Sequence, residues 1–572
     1  MRTRVATLLA LLATACARTP PPVVPPEPPV SVLLITIDTL RADRLGAYGD
    51  AAARTPVLDG IARAGAVFER AYTPVPITLP AHASLMTGLL PPGHGVRGNG
   101  SFALGTTEPT LAEAMKAAGR ETGAFIAGFP LVRRFGLARG FDVYDDTLVR
   151  ADGVHYEIAE RPARDVVNAA AGWLARRKGA VFAWVHLFDP HAPYAAPPAF
   201  RTGDAYRDEV AAVDDALASL MAAWDARPGR SLVVVTSDHG EAFGEHGEWS
   251  HSLFVYDTTL HVPLLVRGPG FAPGSRASTR VSLTDVAATI LEVAQVKAKL
   301  PGASLRRALV AGAPDRPLYA ETLAPRLDFG WSELRSWREG GYKWIRAPRP
   351  EVYALDDDVA ETRNLAVQER ARGRAMDDAL SAAIEATGDR MATRRPDAES
   401  KERLRSLGYV QGPGGRGSGA DPKDKAELAR RIAESTGPFR DWDDMIGTYR
   451  TLVAMDRANP LLNLRLADAL LRAGKPQEAL APFGRVVASG PQNADAHVGY
   501  ATALAQLGRV QEARRFLEQA LEIDPSSGQA HYNLAEIARA EGRLGDARRE
   551  YAAAKSDPVT ADRAEARLRE LR

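Results

Sequence analysis

Residues 31–38 read SVLLITID, an aliphatic, β-branched run that ends on a carboxylate. A strand without polar alternation is buried on both faces, which belongs inside a mostly parallel sheet covered by helices. The pattern returns at 180–189 (AVFAWVHLFD), 231–240 (SLVVVTSDHG) and 262–268 (VPLLVRG), with Ala-rich helical stretches between. This alternation predicts an α/β domain from Ser31 onward. Ligands of such sheets bind outside the carboxyl ends of the strands, where Asp38, Asp189 and Asp238 stand.

The chain has 572 residues, 45% of them hydrophobic and 25% charged, so more than one domain is expected. Lys and Arg number 72 against 71 Asp and Glu, a formal charge of +1 that gives no electrostatic reason to expect nucleic acid. From about Leu318 a smaller region follows, with YKWI (342–345) and EVYALDDD (351–358) as strands of an appended sheet. The sheet-forming sequence thus occupies 31–367, and 368–420 reads as a connecting helix and a Gly-rich linker (GPGGRGSGA). Across 421–572 three sets recur every 34 residues: Gly474, Gly508 and Gly542; Ala479, Ala513 and Ala547; Ala467, Ala501 and Ala535. That is the period of a tetratricopeptide solenoid, an all-α array offering a groove to a peptide or protein partner, with 442–460 as a degenerate cap. At the other end, 1–16 (MRTRVATLLALLATAC) has two arginines and an apolar stretch too short to span a bilayer, as in an export signal. Its last four residues resemble the lipobox of bacterial lipoproteins, with Ala13 where leucine is usual. The resemblance implies a lipid on Cys16 and a place in the bacterial cell envelope, periplasm or outer membrane; plain secretion is the alternative. The Pro-rich stretch 17–30 is then a spacer.

The segment richest in chemistry is 78–100, TLPAHASLMTGLLPPGHGVRGNG. Pro80 suits a first helical turn, so Thr78 stands just ahead of a helix N-terminus that favours an anion, or else it is an ordinary cap. A threonine hydroxyl is a weak nucleophile unless a metal or base activates it. Asp38, Asp238 and His239 supply two carboxylates and an imidazole suited to Mg²⁺, Mn²⁺, Zn²⁺ or Ca²⁺. His186 lies in an apolar strand and reads as a core histidine; with Asp189 it could otherwise complete a second ion.

ITIDTLRADRLGAYG (35–49), the Thr78 segment, FDPHAPY (188–194), TSDHGEAFGEHG (236–247) with VPLLVRGPG, and YALDDDVAETRNLA (353–366) together resemble the sulfatase family, in the family's order. The resemblance implies an alkaline-phosphatase-like α/β fold with a small C-terminal subdomain, and a covalent intermediate. It also implies a divalent metal held by Asp38, Asp238 and His239 with Thr78. By the same carry-over Arg97 and Asn99 bind the substrate oxyanion, His82 stands at a substrate-binding arginine position, His191 contacts substrate or a second metal, and His251 stands where the family carries a substrate- or metal-binding basic residue; poor leaving groups need an acid, for which His191 or His251 is the candidate. Two departures stand out: Thr78 replaces the residue that becomes formylglycine, so no formylglycine is expected, and Asp38-Thr39 replaces an Asp-Asp pair. Both resemble the threonine-dependent, phosphate-ester branches of the superfamily. The sequence therefore favours a hydrolase of phosphate mono- or diesters. A sulfatase, a phospho-group transferase to a glycan or lipid, and an inactive lipoprotein scaffold are the alternatives.

Overall fold

The computed structural model describes residues 28–148, 160–394, 418–435, 440–557 and 559–571. The export signal, Cys16, most of the Pro-rich spacer and most of the Gly-rich linker lie outside the described residues.

The Ser31–Ile37 strand is wholly buried, and its neighbours on both sides run parallel to it. Val32 faces Phe182 on one flank and Leu232 on the other, and Thr36 faces His186 and Thr236. The eight-stranded sheet runs in the spatial order Ser275–Ala277, Ala66–Phe68, Leu264–Arg267, Ser231–Thr236, Ser31–Ile37, Val181–Leu187, Glu121–Phe125, Val143–Asp145. Only Leu264–Arg267 pairs antiparallel with its neighbours within it. The sheet is therefore mixed but mostly parallel, as uninterrupted apolar strands require. Two groups of helices reach its central strands, one containing Ala163–Ala175 and Ala205–Asp225, the other Leu111–Ala117 with Thr78–Thr87 and Thr284–Val293. Every residue of the Val181–Leu187 strand is buried, so both sheet faces are covered.

The appended sheet has four antiparallel strands, Leu318–Thr322, Leu334–Glu339, Tyr342–Arg346 and Glu351–Ala354. Sequence reading finds only the last two, because the first two carry polar residues at buried positions, among them Glu321, Thr322, Arg335 and Ser336. The connecting helix Arg370–Thr387 packs on this sheet; a side chain at Gly373 would come within 2.9 Å of the Trp344 ring.

Helices from Trp442 to Glu570 form antiparallel pairs. Gly474, Gly508 and Gly542 have φ of 71°, 78° and 75°, the left-handed turn that a side chain resists. The periodic alanines at 467, 501, 535, 479, 513 and 547 are all fully buried, which lets paired helices approach closely. The array is not tethered by the linker alone. Leu428, Ile432, Ile446, Tyr449 and Leu461 share one apolar cluster with Phe254, Leu318, Leu334, Ile345 and Tyr353 of the catalytic region. At its centre the Trp331 indole, 2% exposed, donates to Asp456 at 2.8 Å.

Candidate active site

The carboxyl ends of three central strands are knitted together before any site residue is placed. The Asp38 amide donates to the Leu187 carbonyl at 2.9 Å, the Thr39 hydroxyl to the Pro190 carbonyl at 2.9 Å, and the Leu40 amide to Ser237 Oγ at 2.9 Å. Thr39 takes φ 53°, turning the chain sharply after the first strand. Asp38, Asp238 and His239 thereby converge with no solvent exposure, their ligating atoms all within 4.8 Å of one another. His239 Nδ1 donates to the Gly240 carbonyl at 3.0 Å, which turns Nε2 toward Asp238 Oδ2 at 3.5 Å and Asp38 Oδ1 at 3.8 Å. Burial pushes both aspartate carboxyls up, and for Asp38 the nearby His239 and His191 pull the other way. Burial works against the His239 cation, yet Asp238 and Asp38 outweigh it and hold its pKa up.

Both oxygens of Asp38 and Oδ2 of Asp238 are buried and make no well-formed hydrogen bond. Such groups are costly unless a cation or donor meets them. Two hard carboxylates and an imidazole nitrogen within one small sphere fit a divalent metal.

The helix predicted from Pro80 begins two residues earlier, spans Thr78–Thr87, and is buried at all ten positions. Thr78 is its first residue, and the cap position falls to Ile77, whose side chain makes no capping bond. The alternative that Thr78 is a helix cap is thus removed. Its hydroxyl stands 3.5 Å from His239 Nε2 and also interacts with Asp38. The next amide, Leu79 N–H, donates to Asn99 Oδ1 at 2.9 Å. That bond fixes the orientation of the Asn99 amide, and its buried Nδ2 meets no acceptor. A helix N-terminus with a spare amide donor beside a hydroxyl is a cradle for an oxyanion.

His82 takes a different part from the one expected. It is fully buried, and its Nδ1 donates to the Thr78 carbonyl at 2.8 Å, so Nε2 accepts from the Thr36 hydroxyl at 3.0 Å. Trp184 Nε1 donates to the same hydroxyl at 3.0 Å. Burial pushes the imidazole down to about 4, so it is a neutral strut under Thr78 rather than a cation for substrate. Arg97 is likewise corrected: its guanidinium, fully buried, forks onto Glu321 at 2.6 and 2.5 Å and reaches Asp389 at 2.8 Å. That network joins the Thr78 segment to the appended sheet.

Asp189 stands apart from the Asp38, Asp238 and His239 trio. Its Oδ1 accepts from the Ala163 amide at 3.1 Å, and burial raises it to about 6. Among the described residues only Asp38, Asp238 and His239 form a ligand set, so Asp189 is not joined to a second one. His186 is buried with Nε2 at 3.4 Å from Asp38 Oδ2, behind the trio. His191 stacks on Phe188 with ring centroids 4.4 Å apart, and its Nδ1 donates to the Ala192 carbonyl at 2.6 Å. The His251 ring lies 4.4 Å from that of His239 and 5.2 Å from that of His191. Glu241, which sequence reading passed over, is 1% exposed with Oε1 at 3.2 Å from His251 Nδ1. His94 Nε2 bonds the Ser84 hydroxyl at 2.9 Å, and the His246 ring stacks on Tyr256 with centroids 3.6 Å apart.

Residues 31–296 match the family model described as sulfatase, and 464–528 and 506–568 match tetratricopeptide repeat models. The chain is 24% identical over 462 residues to a Delta 4,5-hexuronate-2-O-sulfatase of Bacteroides thetaiotaomicron, a span of 67% of this chain and 95% of the relative. It is 30% identical over 171 residues to arylsulfatase K of Xenopus laevis, 27% of this chain and 32% of that protein. This chain thus spans about a third of the arylsulfatase's length. Among solved structures, the phosphonate monoester hydrolase of Agrobacterium radiobacter superposes with a TM-score of 0.52 at 21% identity, covering 63% of this chain and 96% of that one. Ps i-CgsB in complex with k-i-k-neocarrahexaose gives 0.53 at 19% identity, covering 66% and 98%. These two likenesses show the fold.

Proposed function

From a chain that carries a sulfatase-family domain followed by tetratricopeptide repeats, we propose a metal-dependent ester hydrolase in which Thr78 is the covalent nucleophile and phosphate esters are the favoured substrates. The observation that carries the reading is the Thr78 hydroxyl, released from capping at the head of a buried helix and set against the Asp38, Asp238 and His239 trio.

Asp38, Asp238 and His239, with Thr78 Oγ, would hold the metal. Once bound, a divalent ion would lower the pKa of the hydroxyl and offset charge on the transferring group. Asn99 Nδ2 donates to a non-bridging oxygen, the place where such reactions gather negative charge. His251 or His191 protonates the leaving oxygen. His82 holds the Thr78 carbonyl and fixes the attacking residue.

Chemistry favours phosphorus over sulfur. A formylglycine hydrate expels its ester by collapsing to the aldehyde, whereas a threonine ester must be cleared by water, as in phosphoryl transfer. The neutral His82 and the engaged Arg97 also leave little fixed positive charge, which suits a singly charged diester better than a doubly charged monoester.

The relatives' names favour a second reading, sulfuric ester hydrolysis, and transfer to a glycan or lipid hydroxyl would use the same residues. Metal-replete protein assayed on matched aryl sulfate, aryl phosphate and bis-aryl phosphate, with products separated in the presence of an acceptor alcohol, decides among them. Preference for the sulfate ester overturns the substrate assignment, and unchanged turnover in Thr78→Ala overturns the nucleophile. An inactive scaffold is the less favoured reading because the ligand trio and Thr78 come together. The export signal and Cys16 complete the proposal with a lipid-anchored protein of the bacterial envelope whose repeats bind a protein or peptide.

A further inference from the structure

We propose that Trp249 is the outer wall of the substrate site, where its indole stacks on the flat apolar face of a six-membered ring in the leaving group. The inference rests on the reading above in placing the reaction beside Asp38, Asp238 and His239. Of the eight tryptophans in the chain Trp249 is the most exposed, at 62%. What sets it apart is where the backbone holds it.

The Ala242 amide donates to the Ser250 carbonyl at 2.7 Å and the Gly244 amide to the Glu248 carbonyl at 2.7 Å, which closes 242–250 into a hairpin. Its base is tied down near the first strand's end, since Arg41 donates to the Glu241 carbonyl at 2.9 Å and to Glu245 at 2.8 Å. The tip is braced by the His246–Tyr256 stack and by the helix Ala426–Glu434, for a side chain at Gly247 would come within 3.1 Å of Ala426. Gly244 gives the indole its place: a Cβ there would come within 2.9 Å of Trp249 Cζ2 and 3.3 Å of Cη2. The six-membered ring of the indole thus rests against backbone on a braced loop while the side chain stays open to solvent. An aromatic group held this way loses little freedom when a ligand covers it.

Trp249 is two residues ahead of His251, and two residues span at most about 7 Å of chain. The His251 ring in turn lies 4.4 Å from that of His239. Exposure rises along the same path: Thr78 and the trio have none, His251 has 7% and Trp249 has 62%. The site is therefore sealed at the Thr78 end and opens toward the hairpin, the direction in which a leaving group extends. An indole face carries negative potential, so it takes the weakly positive C–H groups of a ring and not the ester's anionic oxygens. That leaves the alcohol part of the substrate as its partner, an aryl group or a pyranose, which share a flat apolar face.

The test uses metal-replete protein and two phosphate esters whose leaving alcohols have similar acidity, one phenyl and one a branched fluoroalkyl. In Trp249→Ala, KM for the phenyl ester should rise roughly 3- to 10-fold with kcat near wild type, the mark of lost stacking in ground and transition state alike, while KM for the fluoroalkyl ester stays within about 1.5-fold. Trp249→Phe should keep most of the affinity. Inhibition by phenol and by a methyl pyranoside separates the two sources of ring: the one whose inhibition weakens in Trp249→Ala is the one the site takes. A KM that changes equally on both esters, or on neither, overturns the wall, as does inhibition by both rings that Trp249→Ala leaves unaltered. The same pair run as sulfate esters keeps the two readings apart: a ring-selective KM on sulfates alone overturns the phosphate preference and supports the wall. Unchanged turnover in Thr78→Ala overturns the nucleophile, with Trp249 judged on KM as before, and a wild type inactive on all four esters overturns both. The melting midpoint of Trp249→Ala should lie within about 2 °C of wild type, as for an exposed side chain.

Discussion

Consider the protein stripped of divalent ions by a chelator and then titrated with Mg²⁺, Mn²⁺, Ca²⁺ or Zn²⁺ while its melting is followed by scanning calorimetry. Three carboxylate oxygens, two on Asp38 and one on Asp238, are buried without a well-formed hydrogen bond. Each such atom costs about 1–3 kcal/mol, so a cation that meets all three relieves roughly 3–9 kcal/mol. Independently, a ligand present at about a thousandfold its Kd stabilises the fold that binds it by about 4 kcal/mol. The two figures overlap, and at about 2 °C per kcal/mol for a large domain they imply a rise of roughly 8 °C. The same oxygens dictate the sign of a mutation. Asp238→Asn removes one of two carboxylates buried against each other, so the ion-free protein should melt higher than wild type. It should also lose most of the ion-induced rise, because one ligand is gone. This crossing of the two effects is what a designed cation site produces and a merely packed carboxylate does not. A midpoint that moves by less than about 1 °C with every ion tested, or an Asp38→Asn/Asp238→Asn protein that shifts as far as wild type, would refute the reasoning.

Other outcomes follow from individual groups. Thr78→Ala should abolish turnover while the midpoint falls by only a few degrees, the loss of one buried methyl and a non-capping hydroxyl; Thr78→Ser should keep measurable activity, read as burst and steady-state product release. Burial raises the Glu248 carboxyl to about 8, with its Oε1 accepting the Leu253 amide at 2.7 Å. A raised carboxyl keeps its full contribution below the unfolded value near 4.5 and loses it as pH climbs toward 8, by about 1.4 kcal/mol per pH unit. Glu248→Gln should therefore gain on wild type steadily between pH 5 and 8 and hold a constant lead above, measured by urea melts across pH. Arg97→Met leaves Glu321 buried without its partner and should cost about 3–5 kcal/mol; Glu321→Gln added to it should recover much of that loss. A raised KM without lost stability in Arg97→Met would return that arginine to the substrate.

The sheet and the strand-end acids that converge with His239 were legible because both are written locally. An unbroken apolar run announces a two-sided burial, and Asp38 and Asp238 follow such runs directly. The solenoid was legible for a related reason, since turns and helix contacts recur at one period. His82 and Arg97 were misread because what decides their roles is remote. The hydroxyl that fixes His82 is 46 residues away, and the carboxylates that hold Arg97 are 224 and 292 residues away. Glu241 escaped notice amid Gly-rich, acidic sequence that resembles a solvated loop, and only the folded hairpin shows that this acid is buried. The start of the helix at Thr78 was missed by two residues, and that small shift makes Thr78 the first helical residue rather than its cap.

The Trp331 contact makes the change from enzyme to repeat a boundary in sequence but not in packing. A protease nick or a stop after Ala420 would leave the indole of Trp331, with Leu334, Ile345 and Tyr353, facing water as a single sticky face, and the Asp456 that receives the indole proton would be gone. Such a fragment should self-associate even with every catalytic residue intact. The same packing divides the array: repeats at the far end should be removable without exposing this face, whereas the helices around Tyr449 and Leu461 cover the sheet itself.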